Sequence, residues 1–160
     1  MKYTVTLTVN GSRWELDVEP NEVLLDVLRE KVGIKSPKIG CERGDCGSCT
    51  VMLDGHTVRS CLVLGVEADG ADVLTLEGIS DEGLTALQHK MVELSSFQCG
   101  FCAPGIVLST HELLQHHPHP TREQVQEAIS GNLCRCTGYD PIIEAVLAVT
   151  GSAAGEEVSA

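Results

Sequence analysis

The chemistry in this sequence is concentrated in eight cysteines: Cys41, Cys46, Cys49, Cys61, Cys99, Cys102, Cys134 and Cys136. The first four read C-x4-C-x2-C, followed after eleven further residues by Cys61. This is the plant-type ferredoxin spacing for four thiolates around a 2Fe–2S cluster. A loop wrapped tightly round a cluster must turn backbone N–H groups toward its sulfurs and needs positive φ at several points, which Gly44 and Gly47 allow. Four thiolates also suit a structural zinc ion. Zinc sites, however, usually pair two C-x2-C knuckles, and this loop has only one.

The second four form two pairs, Cys99-x2-Cys102 in QCGFC and Cys134-x-Cys136 in CRC, 31 residues apart. Residues separated by one share a face only in extended chain, so CRC reads as a loop and not a helical turn. Two such loops brought to one end of a helical bundle would hold zinc or a cluster equally well, and the spacing does not choose between them. Other residues have plainer readings. His111, His116, His117 and His119, around the HHPHP stretch, could suggest metal binding but are read as exposed residues of a proline-broken loop. Arg135, between two candidate ligands, either screens their charge or caps a helix. No Ser/His/Asp set or phosphate loop stands out, and Asp54-Gly55 reads as a turn.

The elements that must position these loops change character near Gly78. Before it the apolar period is two. Tyr3, Val5, Leu7 and Val9 alternate with threonines, Asn10-Gly11 makes a hairpin turn, and Trp14, Leu16 and Val18 resume the alternation. Leu24, Leu25, Leu28 and Val32 predict a helix over 22–32 that Gly33 ends. Strands are expected at 50–53, 56–58 and 73–76, with Asp54-Gly55 turning between the first two. Two strands, a helix and three strands fit a helix lying across a small mixed sheet. After Gly78 the period is helical. Helices are expected over 84–94, from Pro104, after the Thr121/Gln124 capping box, and from Asp140-Pro141. The expected organisation is therefore residues 1–77, a helical bundle at 78–150, and a flexible tail at 151–160.

The chain has 160 residues and a formal net charge of −12, which excludes a nucleic-acid partner, since displacing counterions from a phosphate backbone needs Lys and Arg. It also argues against an anionic membrane surface. No run approaches the roughly 20 apolar residues of a bilayer span, so no membrane insertion is expected. The alternating N-terminus lacks the apolar core of an export signal. A cytoplasmic location is expected, or a periplasmic one only if a partner's signal carries the chain there. In a reducing compartment, spaced cysteines favour metal over disulfides.

With these motifs in place, the sequence resembles the small iron–sulfur subunit of molybdenum hydroxylases of the xanthine oxidase family. The resemblance rests on GCERGDCGSCTVMLDG (40–55), SCL (60–62), QCGFCAPG (98–105) and GNLCRCTGY (131–139), and covers roughly residues 2–150. Ala103 departs from the family's usual Thr without removing a ligand. The resemblance implies an α+β chain: a plant-type ferredoxin-like β-grasp domain, then a four-helix bundle. It implies one 2Fe–2S cluster on Cys41, Cys46, Cys49 and Cys61 and a second on Cys99, Cys102, Cys134 and Cys136. It also implies a large partner subunit carrying molybdopterin-bound molybdenum, contacted by Gln98 and Cys136. It further implies a medium subunit carrying FAD near the first cluster, and a higher assembly such as a dimer of heterotrimers. The chain would then pass electrons between the two partners and perform no bond-making step. A stand-alone two-cluster ferredoxin and a zinc-stabilised interaction module are the alternatives.

Overall fold

In the computed structural model, residues 1–151 are described. The expected tail lies outside the described residues from position 152 on. The first half is a five-stranded mixed sheet in the order β2-β1-β5-β3-β4. β1 (Tyr3–Val9) and β2 (Ser12–Val18) pair antiparallel with Leu7 opposite Trp14. Their turn is built by Asn10 at φ 49° and Gly11 at φ 78°, the paired positive values of the expected two-residue turn. β3 (Thr50–Leu53) and β4 (His56–Arg59) repeat this arrangement around Asp54-Gly55. The Asp54 carboxylate also accepts the Asp72 N–H at 2.8 Å, tying that turn to β5 (Asp72–Leu74). β5 closes the sheet, parallel to β1 and antiparallel to β3.

Period-two burial follows the pattern. Val5, Leu7 and Val9 are buried against Val18, Val51 and Val73, with Leu24, Val27 and Leu28 laid across them. Each such side chain contributes about 1.5–3 kcal/mol of transfer free energy. The crossing helix starts at α1 (Leu24–Asp26), two residues later than expected, because Val23 is held in a bridge to Leu64. It continues as a π-helical stretch over Val27–Val32 and stops at Gly33, whose φ is 89°.

The expected strand at 73–76 runs two residues past the end of β5. The Thr75 N–H donates to Asn10 Oδ1 at 2.9 Å instead of to a neighbouring strand, and the chain turns into a short helix, α2 (Leu76–Ile79), that the sequence pattern did not suggest. Four helices follow: α3 (Ala86–Glu93), α4 (Ala103–His116), α5 (Arg122–Ile129) and α6 (Asp140–Val149). The Thr121/Gln124 capping box forms as read, and a second one, Thr85/Gln88, opens α3. Leu84 precedes that cap, so it is exposed and outside the helix it was assigned to. α3 packs on α6 and α4 on α5, around Met91, Ile106, Val125, Ile129, Ile142 and Val146. α4 also lies against β3 and β4, so the two apolar clusters share a seam.

Candidate metal centres

The first cysteine loop leaves the helix and enters β3. It has positive φ at Glu42 (55°), Gly44 (88°) and Gly47 (72°), as a loop closing on sulfur requires. The amide of Cys46 donates to Cys41 Sγ at 3.4 Å, joined by those of Arg43 and Asp45. Led by the Arg43 N–H, these donors draw the Cys41 thiol down to about 6, so the sulfur is held as a thiolate, the form that binds metal. Cys49 is buried where β3 begins, and Cys61 is buried in the 3₁₀ turn Ser60–Leu62. Ser60 ties the two together, since its hydroxyl donates to the Cys49 carbonyl at 2.6 Å. Leu25 packs over both thiols. Burial, then the neighbouring Cys49 thiol, pushes Cys61 up to about 11, so a thiolate there needs a metal to stabilise its charge.

The second loops meet at one end of the bundle. Cys102 is the residue from which α4 departs, and Pro104 lies in its first turn. CRC follows α5 as irregular chain, as its spacing required. Cys99 and Cys136 Sγ lie 3.5 Å apart and exposed, while Cys102 is buried beside Cys134. Burial, then Cys134, pushes the Cys102 thiol up to about 12. Burial would also raise Cys134, but the hydroxyl and N–H of Thr137 hold it below its ordinary value, the hydroxyl at 3.1 Å.

Both sets are thus arranged two by two. Cys41 and Cys46 are in contact, as are Cys49 and Cys61, Cys99 and Cys136, and Cys102 and Cys134. A single zinc with bonds of about 2.3 Å would draw four sulfurs to about 3.8 Å from one another. Among the described residues no three cysteine sulfurs lie within 4.8 Å of one another. Paired thiols fit a 2Fe–2S cluster, which each set would hold by two thiolates on either iron. In each set one pair is deeper and the other nearer solvent.

The two loops are joined directly. The Leu133 N–H donates to the Cys46 carbonyl at 2.9 Å, so a ligand candidate of one set reaches the residue beside Cys134 of the other through one hydrogen bond. Asn132, 1% exposed, donates from Nδ2 to the Gly47 carbonyl (3.1 Å) and Thr50 Oγ1 (3.3 Å) and accepts from the Ser109 hydroxyl (2.9 Å). Arg59 spans the same seam, donating to Thr50 Oγ1 at 2.7 Å and to the Gly131 carbonyl at 2.8 Å. Tyr139 accepts the Cys134 N–H at 2.7 Å and donates to the Asn132 carbonyl at 3.1 Å. Approach is so close that a Cβ on Gly47 would overlap the Gly131 carbonyl and lie 2.7 Å from Asn132 Nδ2.

Asn132, Arg59, Thr50, Thr137 and Tyr139 were not foreseen as site residues. The cation that bridges the seam is Arg59, whereas Arg135 is exposed. Gln98 is exposed beside Cys99.

Residues 7–75 match the family described as "2Fe-2S iron-sulfur cluster binding domain", and residues 75–147 the family described as "[2Fe-2S] binding domain". The chain is 47% identical over 147 residues to the nicotine 6-hydroxylase small subunit of Paenarthrobacter nicotinovorans, covering 92% of this chain and 89% of that one. It is 45% identical over 146 residues to the nicotinate dehydrogenase small FeS subunit of Eubacterium barkeri, covering 91% and 93%. Its fold superposes on the crystal structure of quinoline 2-oxidoreductase from Pseudomonas putida with a TM-score of 0.90 and 45% identity, covering 94% of this chain and 95% of that one.

Proposed function

The chain belongs to the small iron–sulfur subunits of molybdenum hydroxylases of the xanthine oxidase family, and from that membership we propose how its residues serve an electron-transfer subunit. Cys41, Cys46, Cys49 and Cys61 hold one 2Fe–2S cluster, and Cys99, Cys102, Cys134 and Cys136 hold the other. When bound, these clusters supply one-electron redox chemistry. The two-by-two contact of the thiols supports this ligand assignment.

The observation that carries the reading is the hydrogen bond from the Leu133 N–H to the Cys46 carbonyl. It joins the two ligand loops by covalent chain and one short polar contact, with Asn132 and Arg59 holding the seam closed. An oxidised cluster with four thiolates carries a net charge of about −2, which disfavours a further electron. The Arg59 guanidinium between the two sets offsets that charge, as do the N–H groups turned onto Cys41. Thr137 does the same for Cys134.

The exposed faces support two docking surfaces. Cys99 and Cys136, with Gln98 and Phe101, turn outward from the bundle and meet a large subunit that carries the molybdenum cofactor, where Gln98 offers its amide to the pterin. Ile39 and Leu62 flank the first set and meet a medium subunit that carries FAD. The three form a heterotrimer that doubles. A cytoplasmic assembly fits eight cysteines that serve as cluster ligands and form no disulfides. No described helix is long and apolar enough to cross a membrane. We set the division between the cluster-binding halves near Gly78, inside α2.

Low-temperature electron paramagnetic resonance of the reduced protein tests this assignment. Cys46→Ser removes one of two signals and Cys136→Ser removes the other. Loss of both signals in either variant would refute two separately held clusters.

A further inference from the structure

Away from both cysteine sets, the β3–β4 hairpin meets α4 at His56, Glu112 and His116. One ring nitrogen from each histidine and one Glu112 carboxylate oxygen all lie within 4.8 Å of one another. Glu112 and His116 are one helical turn apart and share a face of α4. His56 opens β4 on the other side of the seam. The two imidazole rings lie parallel, 10° apart in plane, with centroids separated by 6.4 Å.

The carboxylate is oriented in advance. Glu112 Oε2 accepts the Thr57 N–H at 3.1 Å and the Thr57 hydroxyl at 2.5 Å, while Oε1 faces His56 Nδ1 at 3.3 Å. Burial would raise Glu112, but Thr57 and His56 together hold it below the usual carboxylate value. A carboxylate fixed by an outer hydroxyl and amide, with its other oxygen facing the His56 imidazole, has the support that metal ligands ordinarily receive. Of the histidines around the HHPHP stretch, His116 alone belongs to this group. The His119 ring bonds the Thr150 carbonyl at 2.9 Å.

We propose that His56, Glu112 and His116 bind a divalent transition cation, with zinc the best fit, clasping the hairpin to α4. Two imidazoles and one carboxylate are the His₂Glu donor set of zinc sites that keep a fourth position for water. Calcium and magnesium prefer all-oxygen shells and do not match it. Bonds of about 2.0–2.2 Å bring ligand atoms closer than they now stand. The His56 side chain, 75% exposed, is free to close that gap. Because the ligands come from both sides of the seam, an occupied site resists its opening.

The test uses untagged, cluster-loaded, oxidised protein, whose cysteines are occupied and do not compete. Zinc is titrated by calorimetry at concentrations that leave the cluster absorbance unchanged. Wild type is expected to bind one more equivalent than His116→Ala or His56→Ala, and its melting temperature is expected to rise with zinc while theirs does not. Thr57→Val, which removes only the outer hydroxyl, is expected to weaken binding about tenfold or more. Equal zinc uptake and equal melting shifts in wild type and both histidine variants would overturn the proposal.

Discussion

Asn132→Ala isolates the seam between the two cysteine loops. The amide makes three side-chain hydrogen bonds and is almost wholly buried. Two of its partners have other bonds: the Gly47 carbonyl accepts the Thr50 hydroxyl at 2.6 Å, and Thr50 Oγ1 accepts Arg59 at 2.7 Å. The Ser109 hydroxyl is left without its acceptor. At about 1 kcal/mol for each of the two bonds whose partners stay satisfied, plus about 1–2 kcal/mol for stranding the buried Ser109 hydroxyl, the substitution costs about 3–4 kcal/mol. At about 2–4 °C per kcal/mol for a chain of this size, the melting temperature falls by about 6–16 °C. The assay is loss of cluster absorbance on heating at a fixed scan rate. Asn132→Asp separates shape from charge. It nearly keeps the volume but turns a carboxylate oxygen onto the Gly47 carbonyl, between two anionic sites, and is expected to destabilise more than Ala. A shift below about 3 °C for Asn132→Ala, or an Asp variant more stable than the Ala variant, would refute the role given to this amide.

Two further outcomes follow from neighbouring contacts. Burial would raise Glu77, but hydrogen bonds from Ser36 and Thr75 hold it below its ordinary value of 4.5. Its stabilisation is therefore present above pH 4.5 and is lost as pH falls through the lowered folded value. Glu77→Gln is expected to cost about 1–2 kcal/mol at pH 7 and to flatten the acid limb of a melting-temperature profile between about pH 5 and 3 relative to wild type; an unchanged limb would exclude Glu77 as its source. In the assembled complex, Gln98→Ala is expected to slow reduction by substrate in rapid mixing, or to lower pterin content, at unchanged iron content. Wild-type rates with full cofactor occupancy would make Gln98 an ordinary loop residue.

Much of this arrangement was legible in the sequence because local rules govern it. The hairpins at Asn10-Gly11 and Asp54-Gly55, the Thr121 cap and the positive φ of Gly44 and Gly47 depend on neighbours a few residues away. Cysteine spacing was informative for the first loop for the same reason. The seam was not legible. Asn132 meets Gly47 across 85 positions, and no periodicity connects them. Charge beside a ligand suggested Arg135, yet Arg59, distant in sequence from the second set, reaches Gly131 because β4 abuts the bundle. Leu84 and Leu76 were misplaced where a cap and a side-chain acceptor, Thr85 and Asn10, overrode apolar spacing. The Glu112–Thr57 contact, between α4 and β4, was hidden in the same way.

The most direct test of the central claim is metal and sulfide analysis of the purified chain, paired with electron paramagnetic resonance after reduction. Eight thiols set two by two predict about four irons and four acid-labile sulfides per chain, with two distinguishable signals. The signals should differ because one set sits in a glycine-rich loop entering a sheet and the other at helix ends. A colourless protein holding zinc at the cysteines, with no labile sulfide and no signal, would contradict the account.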